Sequence, residues 1–199
     1  MIFVGYYTRL TPYQIVMSTK LLPSLEKWNL DYDIEGIDDR GNWFANTSYK
    51  AEFILNMLNK HKQDVCFLDA DATIEKFPEL LFKIPQKYDF ACHFLDWYLH
   101  WRNQRGHANR ELLSGTMVFR YNPKVLALME IYIEECRKHP MVWEQKILQG
   151  VLAKDKNVKI LNLPASYCAV VKFDNKVPDY IEEPVIIHWQ ASRKYKKKS

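Results

Sequence analysis

The chain has 199 residues, 48% apolar and 14% aromatic, which suits one compact domain with a real core and is too short for two full catalytic domains. Its net charge of +4 rests on a terminal cluster: without Arg193, Lys194, Lys196, Lys197 and Lys198, 23 of the 28 basic residues remain against 24 acids. A near-neutral body argues against a nucleic-acid groove lined with Lys and Arg.

In chain order, Ile2 to Val4 reads as a first strand ending at Gly5-Tyr6-Tyr7-Thr8. Thr11 as N-cap and Pro12 at the first helical position start a helix to about Leu22. Asp31 to Ile37 reads as a second strand, closed by the turn Asp38-Asp39-Arg40-Gly41. Thr47 or Ser48 can cap a helix in which Ala51, Ile54, Leu55 and Leu58 recur at helical spacing. Val65 to Leu68 is a run of four apolar residues, the pattern of a strand buried on both faces. Strand-helix-strand-helix-strand predicts a single α/β domain with a mostly parallel, Rossmann-like sheet, helices on both faces and strand ends facing one crevice.

At the end of the third strand stand Asp69 and Asp71. In an extended segment, acids at i and i+2 point the same way, toward the carboxyl edge where open α/β sheets bind ligands. Two like charges this close repel unless a cation lies between them, and an oxygen-only pair suits Mg2+ or Mn2+. The pattern fits two families. Asp69, Asp71 and Thr73 after four apolar residues match the signature of haloacid-dehalogenase-like phosphatases, with Lys172, Asp174 and Asp179 available for the further lysine and acids that chemistry needs. An Asp-x-Asp closing an apolar strand is equally the metal motif of glycosyltransferases of the GT-A fold. The motif alone does not decide.

Asp89 to Phe94 reads as a further strand, followed by a wet, aromatic segment from Asp96 to Arg110 that contains Trp97, Tyr98, His100, Trp101, Arg102, Asn103, Arg105 and His107. It fits an acceptor-binding loop or an ordinary amphipathic helix and loop, with Asp96 a candidate for contacting a sugar. His93, His100 and His107 read as solvated or hydrogen-bonded histidines rather than ligands. Leu113 to Phe119 is a strand with Gly115 near its start, where a ligand can approach the backbone. A helix from Val125 to Lys138, the segment Trp143-Glu144-Gln145 and a last strand, Val185 to Ile187, delivering His188 complete the chain.

This order of motifs resembles the retaining GT-A glycosyltransferases of the glycogenin and bacterial galactosyltransferase type. Asp69 and Asp71 match the Asp-x-Asp; Ser114-Gly115 match the small residues of a second motif; Glu144-Gln145-Lys146-Ile147-Leu148-Gln149 match a third; His188, Trp189 and Lys194 match the last. Two departures stand out: Ala191 replaces a glycine that lets the backbone approach the diphosphate, and Tyr195-Lys196 replace a Pro-Trp pair.

The resemblance implies transfer of a hexose, with retention, from a nucleotide-diphosphate sugar, by default UDP-glucose or UDP-galactose. It implies Asp71 and His188 as ligands of Mn2+ or Mg2+, Asp69 on the metal or the ribose, Lys194 on the diphosphate and Lys50 on donor oxygens. Gly115 and Thr116 would line the sugar, Tyr7 and Thr8 would meet the nucleoside, and Glu144 and Gln145 would face the side opposite the leaving group, where the Gln145 carbonyl can stabilise an oxocarbenium-like centre. On this reading residues 1–92 form the nucleotide-binding half, 93–195 the acceptor and donor-sugar half, and 196–199 a basic tail. The acceptor is open among a saccharide or lipid-linked sugar, a protein and a modified nucleic-acid base.

The four cysteines, Cys66, Cys92, Cys136 and Cys168, are widely spaced without a C-x-x-C pair, which argues against a zinc site or disulfide framework. The amino terminus lacks a signal pattern and no run approaches a membrane span, so the expectation is a cytoplasmic protein.

Overall fold

The computed structural model describes residues 1–101 and 110–195, so Arg102, Asn103, Arg105, His107, Lys196, Lys197 and Lys198 lie outside the described residues. The strands are β1 (Ile2–Thr8), β2 (Tyr32–Ile37), β3 (Val65–Leu68), β4 (Ala72–Ile74), β5 (Phe90–Asp96), β6 (Arg110–Phe119), β7 (Ile160–Asn162), β8 (Ala169–Val170) and β9 (Ile186–His188). The helices are α1 (Pro12–Thr19), α2 (Leu21–Lys27), α3 (Trp43–His61), α4 (Glu79–Phe82), α5 (Trp97–Trp101), α6 (Pro123–Lys138), α7 (Glu144–Lys154) and α8 (Ser192–Tyr195).

Among the described residues, six strands form the main sheet in the order β2-β1-β3-β6-β5-β7. β6 runs antiparallel to β3 and β5, and the remaining pairings are parallel. Alternation along each strand divides the core in two. Ile2, Val4, Val65, Phe67, Met117 and Phe119 face α3, α6 and α7, whereas Phe3, Cys66, Leu68 and Val118 face Met17, Leu21 and Leu25 of α1 and α2. Helices on both faces explain why β3 has no polar residue to offer solvent.

A second, three-stranded sheet in the order β4-β9-β8 stands beside the first. The chain crosses from one sheet to the other between β3 and β4, and Asp69 and Asp71 sit in that crossing. All four cysteines are buried and free. Among the described residues no helix is long and apolar enough to cross a membrane.

Three of the boundaries that differ from the sequence expectation are instructive. The first helix does not run through to Leu22. Pro23 has no N–H for the Thr19 carbonyl and its ring crowds that carbonyl, so α1 stops at Thr19 and α2 restarts beyond Lys20. The third helix is capped at neither Thr47 nor Ser48 but at Asn42, whose side chain accepts from Ala45 N. The Thr47 hydroxyl instead bonds back to the Trp43 carbonyl inside the helix at 3.0 Å. β6 begins at Arg110, three residues before the expected Leu113.

Asn42→Ala is therefore expected to lower the unfolding free energy by about 1 kcal/mol in urea denaturation, and Thr47→Ala by distinctly less. The reverse ranking would contradict the cap assignment.

Candidate active site

β3 ends at Leu68, and the turn that follows is closed by Ala72 N donating to Asp69 O at 2.9 Å and Asp69 N donating to Gly115 O at 3.0 Å. β4 then pairs antiparallel with β9, placing Ala72 opposite His188. The end of β9 thus lies against the acids. Asp69, Asp71 and His188 each direct one potential ligand atom into a group whose members all lie within 4.8 Å of one another.

The sequence argument held that two neighbouring carboxylates need a metal to relieve their repulsion. In the structure each already faces a cation of the protein. Lys50 Nζ lies 3.0 Å from Asp69 Oδ1, and His188 Nδ1 lies 3.7 Å from Asp71 Oδ1, an ion-pair distance too long for a hydrogen bond. Asp71 Oδ2 also accepts Ala191 N at 2.7 Å. Burial pushes the Asp71 carboxyl up, but His188 and the Ala191 N–H outweigh it and hold Asp71 below its ordinary range. Asp69 moves the other way, because burial and the neighbouring Asp71 charge together exceed the pull of Lys50. For His188, burial alone would lower the imidazole; Cys168 and Asp71 beside it raise it to about 10.

His188 is held from two sides by β6. Its Nε2 lies 2.8 Å from the Thr116 hydroxyl. A Cβ on Gly115 would stand 2.7 Å from His188 Cε1 and 2.8 Å from Nδ1, closer than atoms of a side chain tolerate. Thr116 is fully buried and the open side of Gly115 is filled by the imidazole, so both residues seat the histidine. A wide irregularity in β6 makes this possible. Cys92 pairs with Met117 and His93 with Leu113, leaving Ser114, Gly115 and Thr116 without β5 partners and free to turn toward the acids.

Lys50, from the middle of α3, is 3% exposed. Its ammonium reaches Asp69 Oδ1 (3.0 Å), Glu144 Oε1 (3.0 Å), Ser114 Oγ (3.0 Å) and Ser114 O (3.2 Å). Its donors are thus met by oxygens of the protein. Its ammonium is held above the usual lysine range: burial lowers it, and Asp69 and Glu144 more than reverse the effect. Glu144 is likewise buried at 5% exposure, and its Oε1 accepts from Ser114 Oγ at 2.7 Å and balances Lys50. Gln145 is half-buried; its Oε1 lies 3.5 Å from Ser114 Oγ and its Nε2 donates to Glu111 Oε1.

Two clefts lie on the α1 side of the molecule, and the smaller one reaches Asp71. One of about 390 Å³ is lined by Asp71, Lys20, Trp189, Ala191, Arg193 and Lys194, bringing Lys194 and Asp71 to one space. The other, about 760 Å³, is lined by Tyr7, Thr11, Gln14, Ile15 and Tyr195 among others. Thr8 is buried, and its carbonyl accepts the Thr11 hydroxyl at 2.7 Å, so it shapes the approach to α1. Tyr13 was not foreseen. Its hydroxyl is buried without a hydrogen-bond partner among the described residues, and the charges of Asp71 and Asp69 act on it. The signal was the aromatic residue two positions after the Thr11 cap, unreadable without knowing that α1 borders the acids.

Other candidates have structural work. Thr73 Oγ1 accepts the Trp189 indole N–H at 2.9 Å and donates to Glu75, and Asp174 and Asp179 are exposed loop residues. The phosphatase arrangement is therefore not assembled around Asp69. Asp96 accepts Leu99 N at 3.0 Å. His93 Nδ1 meets the Leu163 carbonyl at 2.8 Å and His100 Nδ1 the Tyr180 hydroxyl at 2.9 Å, as hydrogen-bonded histidines.

Comparison with known proteins places these features in a family. The model of the family described as nucleotide-diphospho-sugar transferase matches residues 39–199. No curated protein sequence matches the chain. The fold is similar to that of a glycosyltransferase involved in the glycosylation of the major capsid of PBCV-1, at 12% identity and TM-score 0.68, covering 95% of this chain and 91% of that one. It is similar also to mouse xyloside xylosyltransferase 1 (10% identity, TM-score 0.56, covering 96% and 99%) and to the galactosyltransferase LgtC in complex with donor and acceptor sugar analogs (9%, 0.55, covering 96% and 87%). At such identities the likeness is one of fold.

The buried charge cluster makes one stability prediction. Lys50→Met leaves Glu144 buried without its cation and is expected to lower stability by about 3–5 kcal/mol in urea denaturation. A change below about 1 kcal/mol would show that Lys50 does not hold the cluster together.

Proposed function

The chain belongs to the nucleotide-diphospho-sugar transferase family, and from that premise we propose that it transfers a hexose from a UDP-sugar to an acceptor hydroxyl, with a divalent metal and with retention at the anomeric carbon. The observation that carries the proposal is the convergence of Asp69, Asp71 and His188 beside a cleft that also receives Lys194. Two carboxylates and an imidazole suit Mn2+ or Mg2+, and His188 Nδ1 is a buried nitrogen with no hydrogen-bond partner among the described residues. When bound, such an ion supplies Lewis-acid stabilisation of the departing diphosphate.

The chain's own residues do the rest. Once His188 Nδ1 gives up its proton to metal binding, Thr116 accepting from Nε2–H would hold the neutral tautomer whose Nδ1 lone pair faces the acids. Lys194 places its ammonium on the diphosphate, and Tyr7 lies on the side of the nucleoside. Gln145 directs its carbonyl oxygen at the anomeric carbon as positive charge grows there. The bond from that carbon to the diphosphate breaks, the bond to the acceptor oxygen forms, and the acceptor's proton leaves with the diphosphate. In this reading residues 1–92 serve the nucleotide and 93–195 the donor sugar and acceptor. UDP-glucose and UDP-galactose are the first donors to test.

A thermal-shift series tests this reading. UDP-glucose or UDP-galactose at about a hundredfold over Kd, with Mn2+, is expected to raise the Tm by roughly 5–10 °C. The shift should vanish in excess chelator and in Asp71→Asn. An undiminished shift under chelation would contradict metal-dependent donor binding, and an inverted product anomer by NMR would contradict retention.

A further inference from the structure

An amide side chain has two ends of nearly equal shape and opposite polarity. Only its carbonyl oxygen can stabilise a positive centre; the NH2 group cannot. Which end Gln145 presents is decided by residues on its far side. α7 lies along the edge of β6 beyond the last residue of β3, and Gln149 fixes that alignment by accepting Leu112 N at 3.0 Å and donating to Arg110 O at 3.1 Å. One helical turn earlier, this sets Gln145 opposite Glu111.

Gln145 Nε2 donates to Glu111 Oε1 at 2.5 Å. An ionised carboxylate accepts only, so the NH2 is the one end of the amide that can meet it. The second oxygen of Glu111 accepts the Trp97 indole N–H, a donor without acceptor capacity. Trp97 and Gln145 therefore both donate into Glu111, one to each carboxylate oxygen, and this arrangement admits only one orientation of the Gln145 amide. At the other end, the single Ser114 proton goes to Glu144 Oε1 at 2.7 Å, while Gln145 Oε1 stands 3.5 Å from the same hydroxyl. Among the described residues the Gln145 oxygen has only this long contact, which leaves its lone pairs open to a ligand.

We infer that Glu111 is a positioning residue of this enzyme: by holding Gln145 Nε2 it turns the Gln145 carbonyl oxygen toward the donor sugar, and Trp97 keeps Glu111 in place. The inference rests on the proposed placement of Gln145 against the anomeric carbon. Glu111→Gln is isosteric but can donate as well as accept, so it removes the selection between the two amide orientations.

Turnover is measured as UDP release from UDP-glucose, and in parallel from UDP-galactose, with Mn2+ and water as acceptor. Glu111→Gln should lower kcat by about tenfold with the donor KM nearly unchanged, and should cost nothing further in the Gln145→Ala background. Full kcat in Glu111→Gln, or the same factor lost in both backgrounds, would overturn the inference while leaving the role of Gln145 intact. Undiminished turnover in Gln145→Ala would overturn both. A second readout needs no turnover. Gln145→Glu opposes two carboxylates at hydrogen-bond distance and should lower the Tm, and adding Glu111→Gln should restore it. A Gln145→Glu protein that keeps its Tm, or is not rescued, would overturn the contact itself, including where neither UDP-sugar is turned over.

Discussion

Lys50 sits at the junction of α3, β3, β6 and α7 with its ammonium removed from water. Burying a lone cation costs several kcal/mol, and that cost is offset only by well-placed opposite charges and hydrogen bonds. Asp69, Glu144 and two oxygens of Ser114 meet it within 3.2 Å. Because these come from three different elements, satisfying one ammonium fixes the end of β3, the irregular part of β6 and the first turn of α7 relative to one another. Two acids around one cation leave the cluster negative, and that excess stands beside Asp71, in a position suited to a divalent ion.

The backbone makes this cluster reachable. The chain changes sheets between Leu68 and Ala72, and a strand leaving one sheet for another exposes its turn residues where a continuous strand would hide them. β9 then brings His188 to the same turn from more than a hundred residues away. Ser114 to Thr116 leave the β5 ladder at this level, where an intact ladder would place Gly115 in a flat sheet with no room for an imidazole. The left-handed backbone at Gln190 (φ 55°) then turns the chain sharply from β9 toward α8, delivering the Ala191 N–H to Asp71 and Lys194 to the cleft. Ala191, which departs from the glycine of the resembling enzymes, is compatible with this turn because the left-handed φ falls on Gln190 and not on position 191.

How much of this was legible in the sequence depended on whether the signal was local. A four-residue apolar run closed by Asp69 and Asp71 announces a buried strand and an acid pair at its edge, and the chain order of the four motifs pointed to the family. Asn42 is a weak cap signal in sequence because it stands nine residues before Ala51, where the regular apolar spacing of the helix begins. Pro23 is a weak stop signal because its effect falls four residues upstream, on Thr19. The contacts of Lys50 with Glu144 and of Gly115 and Thr116 with His188 span separations that no spacing rule reports. Glu111 and Tyr13 carried no motif at all; their significance lies in which groups the fold sets opposite them.

The central claim is that Asp69, Asp71 and His188 hold the metal while Lys50 stays inside the protein as their counter-charge. Crystals grown with Mn2+ and UDP, measured at a wavelength where manganese scatters anomalously, test it directly. The account predicts one strong anomalous peak within about 2.0–2.4 Å of both carboxylates and of His188 Nδ1, with Lys50 still bridging Asp69, Ser114 and Glu144. A peak elsewhere, or Lys50 swung out onto the diphosphate, would contradict it.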